Sequence, residues 1–112
     1  MNTRVERPAE GQVVVRVIGE VDLNATESFK RAMSDPLEAD AALVVVDLAE
    51  VTFLDSAGLG AMISALKTAK EKEASLRIAC PSEQVRYMLE ISTLERVLPP
   101  YETVDDALAA TD

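Results

Sequence analysis

The chain has 112 residues, 20 acidic and 11 basic, with no histidine and a single cysteine. That length fits one compact domain with a radius of gyration of about 13 Å. Without histidine there is no Ser-His-Asp or Cys-His catalysis, phosphohistidine relay or histidine-ligated zinc, and Cys80 alone makes no internal disulfide, cysteine zinc site or CxxC centre.

The net charge of −9 repels a phosphate backbone and argues against direct contact with nucleic acid. No apolar run approaches the ~18 residues of a membrane span, and Met1 to Glu6 carries no signal-peptide core. An unpaired cysteine suits a reducing compartment. The expectation is a cytoplasmic protein without membrane insertion. Lys67, Lys70 and Lys72 cluster, but at the end of a predicted helix, where cations suit the dipole.

In chain order, Thr3 to Arg7 reads as an edge strand limited by Pro8. The β-branched run Val13 to Ile18, between Gly11 and Gly19, reads as a strand. Asn24 and Glu27 are spaced as a capping box, opening a helix with Phe29, Ala32 and Met33 on one face, which Pro36 ends within a residue or two. Leu43 to Val46 is continuously apolar, as in a central strand buried on both faces. After Asp55 to Gly60 comes a helix whose stripe is Leu59, Met62, Ile63 and Leu66. Ser75 to Cys80 reads as a strand stopped by Pro81. Ser82 caps a short helix carrying Val85, Met88 and Leu89. Val97-Leu98 reads as a last short strand, and Thr103 caps a helix with Val104, Ala107 and Leu108.

Strands alternating with helices imply crossovers and an α/β domain. The expected sheet is mixed, mostly parallel and four- to five-stranded, with about four helices packed on it. Functional loops in such sheets lie at the carboxyl ends of the strands, which singles out Gly19 to Asn24 and Leu54 to Gly60.

In the second loop Ser56 stands where a strand hands over to a helix. The unpaired amides and positive dipole end there suit an anion on its hydroxyl. Gly58 and Gly60 would let another chain approach the backbone. The plainer reading is that Ser56 is an N-cap and the glycines shape a turn. Asp22, following a strand through Gly19-Glu20-Val21, belongs at the same end of the sheet, although alone such a residue is more often a cap or turn residue. Other signals fall away. Gly58-Leu-Gly60 lacks the third glycine of a dinucleotide loop, no P-loop occurs, and Ser56 has neither a nucleophile elbow nor a histidine to activate it. Cys80 reads as a core residue. No residue is nominated as catalytic or metal-binding, and no cofactor is expected.

The run Val46-Asp-Leu-Ala-Glu-Val-Thr-Phe-Leu-Asp-Ser-Ala-Gly-Leu-Gly60 resembles the signature of STAS domains, most nearly that of bacterial anti-sigma factor antagonists. Gly19-Glu20-Val21-Asp22 is similar to that family's Gly-Glu-Leu-Asp loop. Val85 to Glu90 with Ile91 to Leu94 is similar to its third helix and following turn, so the resemblance covers about Arg4 to Ala110. Ala57 departs from the pattern, since many members carry a second Ser or Thr there.

The resemblance implies a switch in partner choice. The unphosphorylated chain binds an anti-sigma factor that is also a serine kinase, and so frees a sigma factor. Phosphorylation of Ser56 breaks that contact, and a metal-dependent serine phosphatase restores it. The implied contact residues are Asp22, Asn24, Asp55, Ser56, Ala57, Gly58, Leu59 and Gly60. An alternative within the same fold is a non-catalytic subunit of a lipid-transport or stress-sensing complex. The few aromatic residues offer no obvious self-association patch, so the free chain is expected to be a monomer.

Overall fold

In a computed structural model of the chain, which describes residues 1–111, the β-branched run after Gly11 forms a strand at the middle of a four-stranded sheet. The strands are β1 (Asn2–Glu6), β2 (Gln12–Val21), β3 (Leu43–Leu54) and β4 (Ser75–Ala79), and they lie side by side in that order. β1 runs antiparallel to β2, while β2, β3 and β4 are mutually parallel. The sheet is therefore mixed and mostly parallel, as expected, with four strands.

The helices are α1 (Thr26–Glu38), α2 (Ser56–Glu71), α3 (Glu83–Ile91) and α4 (Val104–Ala109). The larger core lies on one face of the sheet. There Val13, Val15 and Val17 of β2 and Val44 and Val46 of β3 meet Phe29 and Met33 of α1, Leu59 and Met62 of α2, and Val85 and Leu89 of α3. On the other face Val14, Leu43, Val45 and Ala79 meet Ala107 of α4. Arg77, itself buried, donates to the Ala107 carbonyl at 2.7 Å and ties α4 down. Thr103 caps α4 as predicted, accepting from Asp106 N–H at 3.0 Å. The radius of gyration is 12.4 Å.

Three local readings are corrected, and one holds at the limit of its range. First, Asn24 is not the cap. Asp22 caps a 3-10 turn, Leu23–Ala25, by accepting from Ala25 N–H at 3.1 Å, and α1 begins only at Thr26. Asn24 lies inside that turn, so it does not stand at a helix start where its side chain could cap.

Second, α1 ends at Glu38, two residues past Pro36, within the expected stop. The amides of Ala39 and Ala41 still bond the carbonyls of Asp35 and Pro36, so the ring costs the helix little this close to its end.

Third, α2 buries Leu59, Met62 and the alanines Ala61, Ala65 and Ala69, and leaves Ile63 54% exposed. The alanine stripe lets the helix sit close, and this turns Ile63 outward.

Fourth, Val97-Leu98 is no strand. It follows a 3-10 turn, Leu94–Arg96, and Val97 and Leu98 both donate to the Leu94 carbonyl. Pro99 and Pro100 have no N–H to offer a ladder. Pairing with β4 resumes only at Tyr101, which donates to Ile78 and accepts from Cys80, both at 2.9 Å.

β3 carries the feature that shapes the site. From Asp47 to Glu50 it advances three residues while β2 advances two, from Arg16 to Ile18. From Val51 to Phe53 it advances two against one. Two bulges therefore each insert one extra residue in β3. As a result Leu48, Val51 and Leu54, three apart, all enter the same core, while Ala49, Glu50, Thr52 and Phe53 are exposed. Gly19, facing the second bulge, has φ +100°, a conformation open to glycine at no steric cost.

Candidate functional site

Val21 and Leu54 are register partners at the ends of the parallel strands β2 and β3. The next residue on each, Asp22 and Asp55, turns its strand into a helical segment. Both loops nominated from the sequence thus stand side by side at one end of the sheet.

Asp55 is the N-cap of α2. Its Oδ1 accepts from Ala57 N–H at 3.0 Å and Gly58 N–H at 3.1 Å, and its carbonyl accepts from Leu59 N–H at 3.1 Å. Ser56 is the first residue of α2, exposed, and takes no part in capping. Its hydroxyl is therefore available to a reagent or partner.

Two of the amides expected to hold an anion on Ser56, those of Ala57 and Gly58, are already bonded by the Asp55 carboxylate. A phosphate on Ser56 would stand next to that carboxylate, which opposes the favourable dipole end of α2.

The nominated residues divide by burial. Asn24, Ser56 and Gly60 are exposed, and Asp22, Asp55 and Ala57 are half-buried. Gly58 and Leu59 are buried. A Cβ added at Gly58 would overlap Leu54 Cδ1 and lie 3.2 Å from Leu54 Cγ and 3.3 Å from Val21 Cγ1. Gly58 therefore serves helix-to-sheet packing and offers no surface for a second chain. A Cβ at Gly60 would meet nothing within 4 Å, so of the two glycines only Gly60 leaves open space.

Asp22 and Asn24 line one hollow with Glu20, Ala25, Ser28 and Met1. Among the described residues no basic side chain lines it. Two large apolar side chains are exposed at the same end of the sheet, Leu23 (75%) after the Asp22 cap and Phe53 (40%) before Leu54.

Sequence reasoning missed Gln84. This residue lies in the first turn of α3, and its side-chain amide bonds both backbone groups of Leu54. Gln84 Oε1 accepts from Leu54 N–H at 2.8 Å and Nε2 donates to the Leu54 carbonyl at 2.9 Å. A glutamine on a short amphipathic helix gives no local sign of a partner thirty residues away.

With the fold and site in view, the chain belongs to the STAS domain family, whose family model matches residues 3–107. The anti-sigma F factor antagonist of Paenibacillus polymyxa is 26% identical over 110 residues, 96% of this chain and 94% of that one. The crystal structure of an anti-sigma factor antagonist from Mycobacterium paratuberculosis superimposes with a TM-score of 0.82 at 29% identity, covering 96% and 90% of the two chains. The antagonist SpoIIAA has been solved unphosphorylated (TM-score 0.80, 22% identity, 96% and 93% covered) and, from Bacillus, phosphorylated (0.73, 20%, 96% and 96%). At those identities the SpoIIAA structures speak to the shared fold.

Proposed function

We propose that this chain is an anti-sigma factor antagonist whose hold on its partner is controlled by phosphorylation of Ser56. The observation that carries the reading is the exposed Ser56 hydroxyl at the first position of α2, held beside the Asp55 cap and at the same sheet end as Asp22. The partner is an anti-sigma factor with serine kinase activity, and a metal-dependent serine phosphatase reverses the modification. The chain itself is a non-catalytic binding module, acting in the cytoplasm and monomeric when free. Asp22, Asn24, Ser56, Ala57 and Gly60 meet the partner directly, and Asp55 holds the loop.

The switch is electrostatic. Phosphorylation adds roughly −1.5 to −2 charges. A doubly charged phosphate about 5 Å from a partner carboxylate would cost from ~1.7 kcal/mol in water to ~6.6 at an effective dielectric of 20. Each ~1.4 kcal/mol is tenfold in affinity, so one modification removes one to several decades of binding.

The test begins with intact mass and peptide mapping of the chain from its host, expecting one phosphate on the peptide holding Ser56. Ser56→Ala should capture the kinase and take no phosphate, and Ser56→Asp should fold and bind at least tenfold more weakly. Equal binding by Ser56→Asp and the parent chain, with no phosphate under any growth condition, would reject the switch and favour a constitutive subunit of a larger complex.

A further inference from the structure

β4 stops opposite Asp47, while β3 runs on to Leu54. Over that extension one edge of β3 pairs with β2, and the other has no strand beside it among the described residues. At its last residue the gap is closed by a single side chain. Gln84 accepts from the Leu54 N–H and donates to the Leu54 carbonyl, as a neighbouring strand would. The match is specific to a primary amide, which offers one acceptor and one donor side by side. A carboxylate offers no donor, and an aliphatic side chain offers neither group.

The bonded residue immediately precedes the Asp55 cap, and Ser56 follows. Buried Val85 and Leu89 seat α3 in the main core, so Gln84 reaches Leu54 from a fixed base. The two bulges leave this end of β3 with a less regular ladder to β2, and the Gln84 clamp supplies the missing constraint.

We infer that Gln84 is a positioning residue for the phosphoacceptor: by clamping the Leu54 peptide it sets where the Asp55 cap and the Ser56 hydroxyl stand. The inference rests on the reading of Ser56 as the modified serine. Gln84 touches neither the hydroxyl nor a phosphate donor and acts only through the backbone.

The test uses the full chain with Gln84→Glu, nearly isosteric but without the donor, and Gln84→Leu. Amide hydrogen exchange followed by NMR is compared at Leu54, Ala57 and Gly58 and, as a control, at Val44 and Val45. Exchange at the first three should quicken at least tenfold relative to the two controls. With ATP and the serine kinase captured on Ser56→Ala, kcat for Ser56 phosphorylation should fall at least tenfold while KM stays within twofold. A general loss of stability would instead quicken exchange at all five amides together. Exchange at Leu54, Ala57 and Gly58 that moves only with the controls, or an unchanged kcat in both variants, would overturn the inference. If the parent chain takes no phosphate from any kinase, the Ser56 reading fails by itself, and the exchange data alone decide whether Gln84 holds the loop.

Discussion

Asp22 and Asp55 hold matching places in neighbouring strand-to-helix turns: each follows one of a pair of register partners, Val21 and Leu54, and each caps the turn after it through its own Oδ1. The match fixes two acidic side chains at one end of the sheet and frees Ser56 from any capping duty. Their structural weights differ. Asp55 satisfies two amides of a sixteen-residue helix, and Asp22 one amide of a three-residue turn.

Asp55→Ala should therefore cost about 1–2 kcal/mol of stability, the upper half of the usual N-cap range. At about 4–8 °C per kcal/mol for a domain near this size, the fall in Tm is readily measured. Asp22→Ala should cost less, about 0.5–1 kcal/mol. Thermal unfolding of both variants checks the order, and an equal or reversed effect would remove Asp55 as the principal cap.

Gly58 and Gly60, two apart on one helix, should respond oppositely to alanine. At Gly58 the new methyl meets Leu54 and Val21, both fully buried and with little room to yield. Overpacking of that kind costs about 1–3 kcal/mol, more than the gain of roughly 1 kcal/mol from replacing a helical glycine. At Gly60 nothing opposes the methyl, and Gly60→Ala should stabilise by up to about 1 kcal/mol. Urea unfolding separates the two. Gly58→Ala as stable as the parent chain would contradict the packing role.

The placing of the two nominated loops at one sheet end was legible in the sequence, and their mechanics were less so. Strand-end Asp22 and Ser56 were legible because hydrophobic runs and helix starts are local signals, and parallel crossovers bring such ends together. The double bulge in β3 was not legible. It replaces alternation by a three-residue spacing at Leu48, Val51 and Leu54, which no strand periodicity anticipates. The roles of Gly58 and Gln84 were hidden for a related reason. Each depends on what lies against it in space, Leu54 and Val21 for Gly58 and the Leu54 peptide for Gln84, and neither residue type declares its neighbour.

Leu23 should contribute to partner binding and little to folding. Three-quarters of it is exposed, directly after the Asp22 cap. Surface substitutions of this kind change stability by no more than about 0.5 kcal/mol. Burying a leucine under a partner is worth about 1.5–3 kcal/mol, so Leu23→Ala should weaken binding to the anti-sigma factor about tenfold or more. Calorimetric titration against that partner, beside a thermal melt of the free variant, checks both halves. Unchanged affinity would move the contact surface away from this turn.

Cys80 should be a slow nucleophile and a source of stability that fails in alkali. It directly follows β4, half-buried with φ 54°. Burial pushes its thiol above the ordinary value of 9.0, and the charges of Asp47 and Glu102 add to the rise, partly offset by a backbone hydrogen bond at Val104 and by Arg16. A folded-state pKa raised above the unfolded one means that the fold favours the neutral thiol. The associated stability is fully present below the unfolded value and is lost as pH rises through the folded one. Iodoacetamide at pH 8 should thus alkylate the native chain more slowly than the urea-unfolded chain, since the thiolate is the reactive form. The stability advantage of the parent chain over Cys80→Ser should shrink above about pH 9. Urea melts of the two chains from pH 7 to pH 10 measure this, and an advantage that grows with pH would reverse the sign assigned to the thiol.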